Sequence, residues 1–158
     1  MKTGWAPWRM EYIKGKKPRG CVFCRCPRSK KNHYLLFRGR WNFVILNRYP
    51  YNNGHLMVIP YRHLSEVEKL TEPESAEMFQ LMKKSVRALR RAMKPEGFNV
   101  GMNLGKSAGA GIAGHLHLHI VPRWQADTNF MPVLAEAKFL PQHLRETWNS
   151  LNEAWRDR

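Results

Sequence analysis

The segment GHLHLHIVPRW, residues 114–124, constrains this chain more than any other stretch. Side chains of a β-strand alternate faces with a period of two. His115, His117 and His119 therefore share one face of a strand, and Leu116, Leu118 and Ile120 share the other. The apolar face must rest on a core, while the imidazole face looks onto something polar. A helix would scatter the three rings around its axis, so the period assigns a strand. Pro122 has no N–H for a ladder and is expected to close it. A half-buried strand whose polar face happens to be histidine would give the same pattern. Three of seven histidines at strict alternation argue against it, because imidazole titrates near neutrality and is a frequent catalytic and metal-binding group.

The neighbouring segments supply a sheet for that strand. YLLF (34–37), WNFVILN (41–47), HLMVIP (55–60) and FNVGMNL (98–104) read as strands, and RYPYNNG (48–54) carries turn chemistry, with Pro50 fixing φ and Asn52, Asn53 and Gly54 tolerating positive φ. A long helix is expected over 71–93. Thr71 and Glu74 form a capping box, Met78, Met82, Val86, Leu89 and Met93 form its apolar stripe, and Lys94, Pro95, Glu96 and Gly97 stop it. Arg87, Arg90, Arg91 and Lys94 gather at its C-terminal end, where the helix dipole favours cations; a solvated helix end accounts for them, with a nucleic-acid role as the alternative. Leu144, Trp148, Leu151 and Trp155 recur at helical spacing within residues 142–156. The fold class is α+β: an antiparallel sheet of about five strands packed by one long helix and a C-terminal helix. With 158 residues the chain reads as one domain over 1–158, with an irregular arm at 1–20 and the C-terminal helix at 142–156.

Composition narrows the function classes. No apolar run reaches the length of a membrane span, and the first residues lack the apolar core of a signal peptide, so a cytoplasmic, non-membrane protein is expected. Three cysteines crowded into residues 21–26 argue for a metal rather than a disulfide. Cys21 and Cys24 have the spacing of a structural zinc half-site, although a reduced pair without metal fits the same spacing. The formal charge of +15 points to anionic ligands, polyphosphate or nucleic acid, but the basic residues are spread along the chain. The glycine-rich loop GKSAGAGIAG (105–114) runs straight into the histidine strand and can offer backbone N–H groups to phosphate. Asn103 at its start and Ser107 within it could add side-chain donors; Ser107 is equally consistent with a plain loop hydroxyl.

HLHLH followed by IVPR resembles the histidine triad (HIT) family of nucleotide hydrolases and transferases, and FVILNRYPYNNGHLMVIPYRH resembles the family's first block at a matching distance from the triad. The resemblance covers roughly residues 20–125. The flanking WAPWRMEYI and PRWQADTNFMPV are similar to a bacterial branch described as diadenosine tetraphosphate phosphorylases or hydrolases.

The resemblance implies a HIT-like fold and a mechanism. His117 would attack the α-phosphorus of a nucleotide and form a nucleotidyl-histidine intermediate, oriented by a backbone carbonyl, here that of His115. His119 would donate to a phosphate oxygen or to the departing bridging oxygen. Backbone N–H groups near Gly111 and Ile112 would bind developing charge. His55 falls where the family has a further histidine near the phosphates, and Asn47 where it holds the ribose hydroxyls. Val22, Phe23, Ile45 and Met57 match positions that wall the base, though each could be plain core. By the same resemblance His63 and His115 would complete a structural zinc site with Cys21 and Cys24, with Cys26 and His33 as competitors for the fourth place. No catalytic metal is implied.

Gly111 and Ile112 depart from the Gln and Ser or Thr that many relatives carry there, so a side-chain donor is missing. The expected substrate is a dinucleoside polyphosphate or related nucleoside 5′-phosphoryl compound, with water or phosphate as acceptor. His119, where transferases often carry Gln, leans toward water; the PRWQADTNFMPV segment leans toward phosphate. An adenylate-removing enzyme acting on nucleic-acid ends and a non-catalytic nucleotide-binding protein are the alternatives. The resemblance also implies a homodimer, and Trp148 and Trp155 would suit an interface.

Overall fold

A computed structural model describes residues 20–28, 34–125, 127 and 142–156. The arm at 1–20 up to residue 19, His33, and most of the PRWQADTNFMPV segment lie outside the described residues. The elements are α1 (Val22–Arg25), β1 (Leu35–Arg38), β2 (Asn42–Leu46), β3 (Leu56–Pro60), α2 (Glu72–Met93), β4 (Gly97–Met102), β5 (Leu118–Arg123) and α3 (Leu144–Arg156). A 3-10 turn, Cys26–Arg28, follows α1. The five strands lie in the order β1-β2-β3-β5-β4, and every pair is antiparallel. The first three strands form a meander. After β3 the chain crosses through α2 to β4, leaving a gap that β5 fills. The histidine strand thus occupies the interior of the sheet, and its alternation acquires a buried face on each side.

One face of the sheet packs on α2 and α3 through Val44, Leu46, Leu56, Val58, Leu118 and Ile120, with Leu81, Leu89, Leu151 and Trp155 from the helices. The other face carries a smaller cluster of Phe43, Ile45, Met57 and Ile59, onto which α1 lays Phe23. Leu116, Leu118 and Ile120 are buried as the period requires, and so are His115, His117 and His119. The strand ladder itself begins only at Leu118, so His115 and His117 enter ahead of it. Pro122 does not close the strand but pairs opposite Phe98. It is tolerated there because β3 pairs with β5 only as far as Leu56 opposite Ile120.

Helix α2 begins at the expected capping box, with Thr71 and Glu74 bonding reciprocally. Its buried face is Glu74, Met78, Leu81, Ser85, Ala88 and Leu89, while Met82, Val86 and Met93 only flank the core. The expected methionine stripe is therefore displaced. Ser85 and Ala88 are small enough to let helix and sheet approach, and the Ser85 hydroxyl donates to the Leu81 carbonyl at 2.7 Å, which makes its burial tolerable. Lys94, not Gly97, takes the left-handed conformation that ends the helix, at φ 48°. In the 48–54 turn only Gly54 has positive φ. Asn52 and Asn53 are buried pins instead: Asn52 donates to the Pro122 carbonyl, and Asn53 accepts from the Thr147 hydroxyl of α3. Trp155 is buried and leaves no surface for an interface, whereas Trp148 packs against the same core but stays half-buried. Of the helix-end arginines, Arg91 donates to the Ala154 carbonyl and Arg90 lies over the Phe98 ring.

Candidate active site and metal-binding group

The three triad histidines point off the sheet face opposite the long helix. Met57 pairs with His119, which places that imidazole on the Phe23, Ile45 and Met57 side. Two different environments meet along the strand.

At its leading end the His115 ring is 1% exposed. Its Nε2 lies 2.9 Å from the Pro60 carbonyl. A carbonyl only accepts, so Nε2 carries the proton and Nδ1 is bare. That Nδ1 faces Cys21 Sγ at 3.3 Å, Cys24 Sγ at 3.6 Å and His63 Nδ1 at 3.2 Å. Cys24 Sγ is 3.4 Å from His63 Nδ1. The four donor atoms all lie within 4.8 Å of one another. A tetrahedral zinc with ordinary bond lengths would hold N–N edges of roughly 3.3 Å and S–N edges of roughly 3.6 Å, so the residues fit such an ion. Burial, with the adjacent Cys21 thiol, raises the Cys24 thiol above its ordinary value. A bound cation is what would hold thiolates in this place. Cys26 is not part of the group; it packs beside the Phe23 cluster. The segment carrying His63 is clamped to α2 by Arg62, which pairs with Glu74 at 2.7 Å and holds that carboxylate down at about 2.

The His115 carbonyl serves the next histidine. His117 Nδ1 lies 2.8 Å from it, so Nδ1 carries the proton and Nε2 is the bare nitrogen. Burial lowers the affinity of His117 for a second proton, offset in part by that carbonyl, and neutral imidazole is the form a nucleophile needs. Phe23, carried between the two cysteines, packs its ring against both His115 and His117, with centroids 5.6 and 5.1 Å apart.

At the far end the tautomer is opposite. The Tyr51 backbone N–H donates to His55 Nδ1 at 3.0 Å, so His55 carries its proton on Nε2. That nitrogen is 2.9 Å from His119 Nδ1, which must then accept, leaving the His119 proton on Nε2. His119 Nε2 is buried and has no partner among the described residues. Burial, reinforced by His117, pushes His119 down to about 4, so it is neutral at pH 7 and its Nε2–H is a donor in waiting. The His117 and His119 rings meet edge to face with centroids 4.7 Å apart, so the bare nitrogen and the donor belong to neighbouring rings. This is the arrangement for attack on a phosphorus whose departing oxygen needs a hydrogen bond.

Asn47 adjoins this end. Its Oδ1 accepts from the Tyr49 N–H at 2.9 Å, and its Nδ2 lies 3.2 Å from His55 Nδ1. Phe23, Ile45 and Met57 form one buried cluster, with Ile112 of the glycine loop packed on it; Val22, next to Phe23 in sequence, is exposed. Ser107 and Gly111 are exposed and Asn103 half-buried. Ser107 belongs to a turn in which the Gly109 N–H donates to the Lys106 carbonyl, and no described bond joins Asn103 or Ser107 to the histidines. No sequence motif points to Tyr51, yet its ring lies 4.7 Å from that of His55 and 5.4 Å from that of His119. Its position four residues before His55 in a turn is the one available signal.

The HIT domain family model matches residues 30–126. An AP-4-A phosphorylase from Mycobacterium tuberculosis is 42% identical over 96% of this chain and 83% of its own length. Among solved structures, a Zn-bound histidine triad family protein from Mycobacterium smegmatis superposes with a TM-score of 0.71 at 26% identity, covering 86% of this chain and 93% of its own. A hypothetical histidine triad nucleotide-binding protein from Sulfolobus tokodaii gives 0.72 at 27% identity, over 87% and 93%.

Proposed function

The chain belongs to the HIT domain family, and from that premise we propose that it is a nucleotidyl-transferring enzyme that cleaves dinucleoside polyphosphates such as diadenosine tetraphosphate, with inorganic phosphate as acceptor. The observation that carries the reading is the tautomer of His117: with Nδ1–H held by the His115 carbonyl, the only nitrogen available to react is Nε2. His117 Nε2 attacks an α-phosphorus, the P–N bond forms as the bridging P–O bond breaks, and ATP departs with its new terminal oxygen accepting from His119 Nε2–H. A phosphate oxygen then attacks the same phosphorus, the P–N bond breaks, and ADP leaves with His117 restored. The likeness to an AP-4-A phosphorylase over most of the chain supports phosphate as acceptor.

In this reading Phe23, Ile45, Met57 and Val22 wall the base, Asn47 faces the ribose with its remaining hydrogen-bonding capacity, and the backbone at Gly111 and Ile112, with Asn103 and Ser107, serves the phosphates. Zinc held by Cys21, Cys24, His63 and His115 braces the strand and takes no part in the chemistry. A second copy of the chain would add at β4, one of the two edge strands, whose Asn99, Val100 and Gly101 are exposed.

The test is product analysis with diadenosine tetraphosphate, with and without phosphate, beside His117→Ala. ATP plus ADP, formed only with phosphate, is expected. ATP plus AMP without phosphate would make water the acceptor, the outcome toward which His119 leans. Turnover that survives in His117→Ala would remove the proposed nucleophile, and no turnover by the unaltered protein would favour a binding role.

A further inference from the structure

Of the basic residues behind the net charge of +15, several converge on one groove. On the opposite side of the sheet a groove of about 570 Å³ runs between α2 and the turn joining β1 to β2, lined by Phe37, Arg38, Arg40, Gln80, Lys84 and Arg87. Its single carboxylate, Glu77, does not neutralise them. Glu77 is engaged with the turn itself, accepting from the backbone N–H groups of Arg40, Trp41 and Asn42 and from the Asn42 side chain. The ion pairs among the described residues are Arg62–Glu74, Lys69–Glu66 and Arg123–Asp127, and none involves Arg38, Arg40 or Arg87. An aromatic platform borders the cations: Trp41 is 40% exposed, with the Arg40 guanidinium 5.1 Å from its ring centre.

We propose that this groove is a second binding site, for single-stranded nucleic acid, separated from the histidines by the thickness of the sheet. Arg40 stands on the strand side and Arg87, with Lys84 one helical turn before it, on the helix side; Lys84 Nζ also lies 4.5 Å from the Phe37 ring centre, and Arg38 lends the groove only its stem, since its guanidinium donates to the Pro27 carbonyl. Cations on two walls follow a phosphodiester backbone along the groove, and the exposed indole gives a base a face to stack on. Cationic grooves beside stacking aromatics bind single strands with little sequence preference and strong salt dependence. The site does not depend on the reaction proposed for the other face.

The probe is a fluorescein-labelled oligothymidylate of about twelve nucleotides, followed by anisotropy across a salt series. Arg40 and Arg87 are exposed, so the double variant Arg40→Gln, Arg87→Gln should fold, and unchanged turnover of diadenosine tetraphosphate serves as the check. Binding should weaken about tenfold or more, and the salt slope should flatten by about 0.7 for each phosphate no longer neutralised. Trp41→Leu should weaken binding by about tenfold because the base loses its stacking face. An unchanged affinity in the double variant would overturn the proposal. So would displacement of the oligonucleotide by diadenosine tetraphosphate, which would place it on the histidine face. Competition by inorganic polyphosphate as effective as unlabelled oligonucleotide, with no effect of Trp41→Leu, would make the groove a generic anion surface and overturn the nucleic-acid assignment.

Discussion

The two ends of the histidine segment use the same side chain in opposite ways. At the leading end the His115 ring turns its bare nitrogen toward two sulfurs and His63. At the far end His119 turns its bare nitrogen toward another histidine and keeps its proton on a buried nitrogen that has no acceptor among the described residues. Between them the His117 ring takes its orientation from the backbone of the first and would act on a substrate beside the second. In the proposed reading, identical residues at a fixed spacing thus divide into a brace, a nucleophile and a donor. The division is made by backbone groups that cannot change role: the carbonyls of Pro60 and His115 and the N–H of Tyr51.

The comparison can be broken at its centre or at either end. The largest effect should come from the centre: His117→Ala should lower kcat by on the order of ten-thousandfold or more, with stability nearly unchanged. Breaking the leading end should do the reverse. Cys24→Ser or His63→Ala, or prolonged chelation, should drop the melting temperature by on the order of ten degrees, because four side chains from three segments would lose the ion proposed to join them. His55→Ala, at the far end, should lower kcat by about tenfold to a hundredfold, since His119 could then adopt either tautomer. His55→Gln, whose amide can still donate to His119 Nδ1, should recover part of that loss.

Smaller effects sharpen the contrast. His119 sits at about 4 when folded, against an ordinary 6.5. Between those values the unfolded chain binds more protons, so stability is full above 6.5 and declines as pH falls through about 4. Melting curves across this window should therefore be flatter for His119→Gln than for the unaltered protein. An equal slope would mean that His119 is not held neutral. Glu74→Gln should cost about 1–2 kcal/mol at neutral pH through the capping box and Arg62. The Glu74 contribution is present above 4.5 and is lost as pH falls toward about 2. Both readings come from the same thermal melts, and turnover at 25 °C should stay unchanged in Glu74→Gln.

Much of this was legible in the sequence because it rests on period and type. Alternation put His115, His117 and His119 on one face and Leu116, Leu118 and Ile120 on the other. Cys21 and Cys24, with His63 and His115, meet as the family resemblance implied. The capping box announced the start of α2. What was not legible depends on partners that a hydropathy pattern does not index. Ser85 and Ala88 look like polar and neutral positions until the helix is seen lying against the sheet. Asn52 and Asn53 look like turn residues until the Pro122 carbonyl and the Thr147 hydroxyl arrive from distant segments. Trp148 and Trp155 look like interface residues until β1 packs against them: the Trp148 indole N–H donates to the Leu35 carbonyl and the Trp155 ring lies by Phe37. Tyr51 matters through its backbone N–H, which every residue but proline possesses, so no choice of side chain could advertise it.

The most direct measurement is the tautomeric state of each imidazole, read from long-range nitrogen–proton correlations on ¹⁵N-histidine-labelled protein at neutral pH. His117 should appear as the Nδ1–H form and His119 as the Nε2–H form, with His115 also Nε2–H and its Nδ1 bare. A His117 that carries its proton on Nε2 would turn its bare nitrogen to the His115 carbonyl instead of to a substrate, and an imidazolium at neutral pH would have no bare nitrogen at all; either result would contradict the proposed division of labour along the strand.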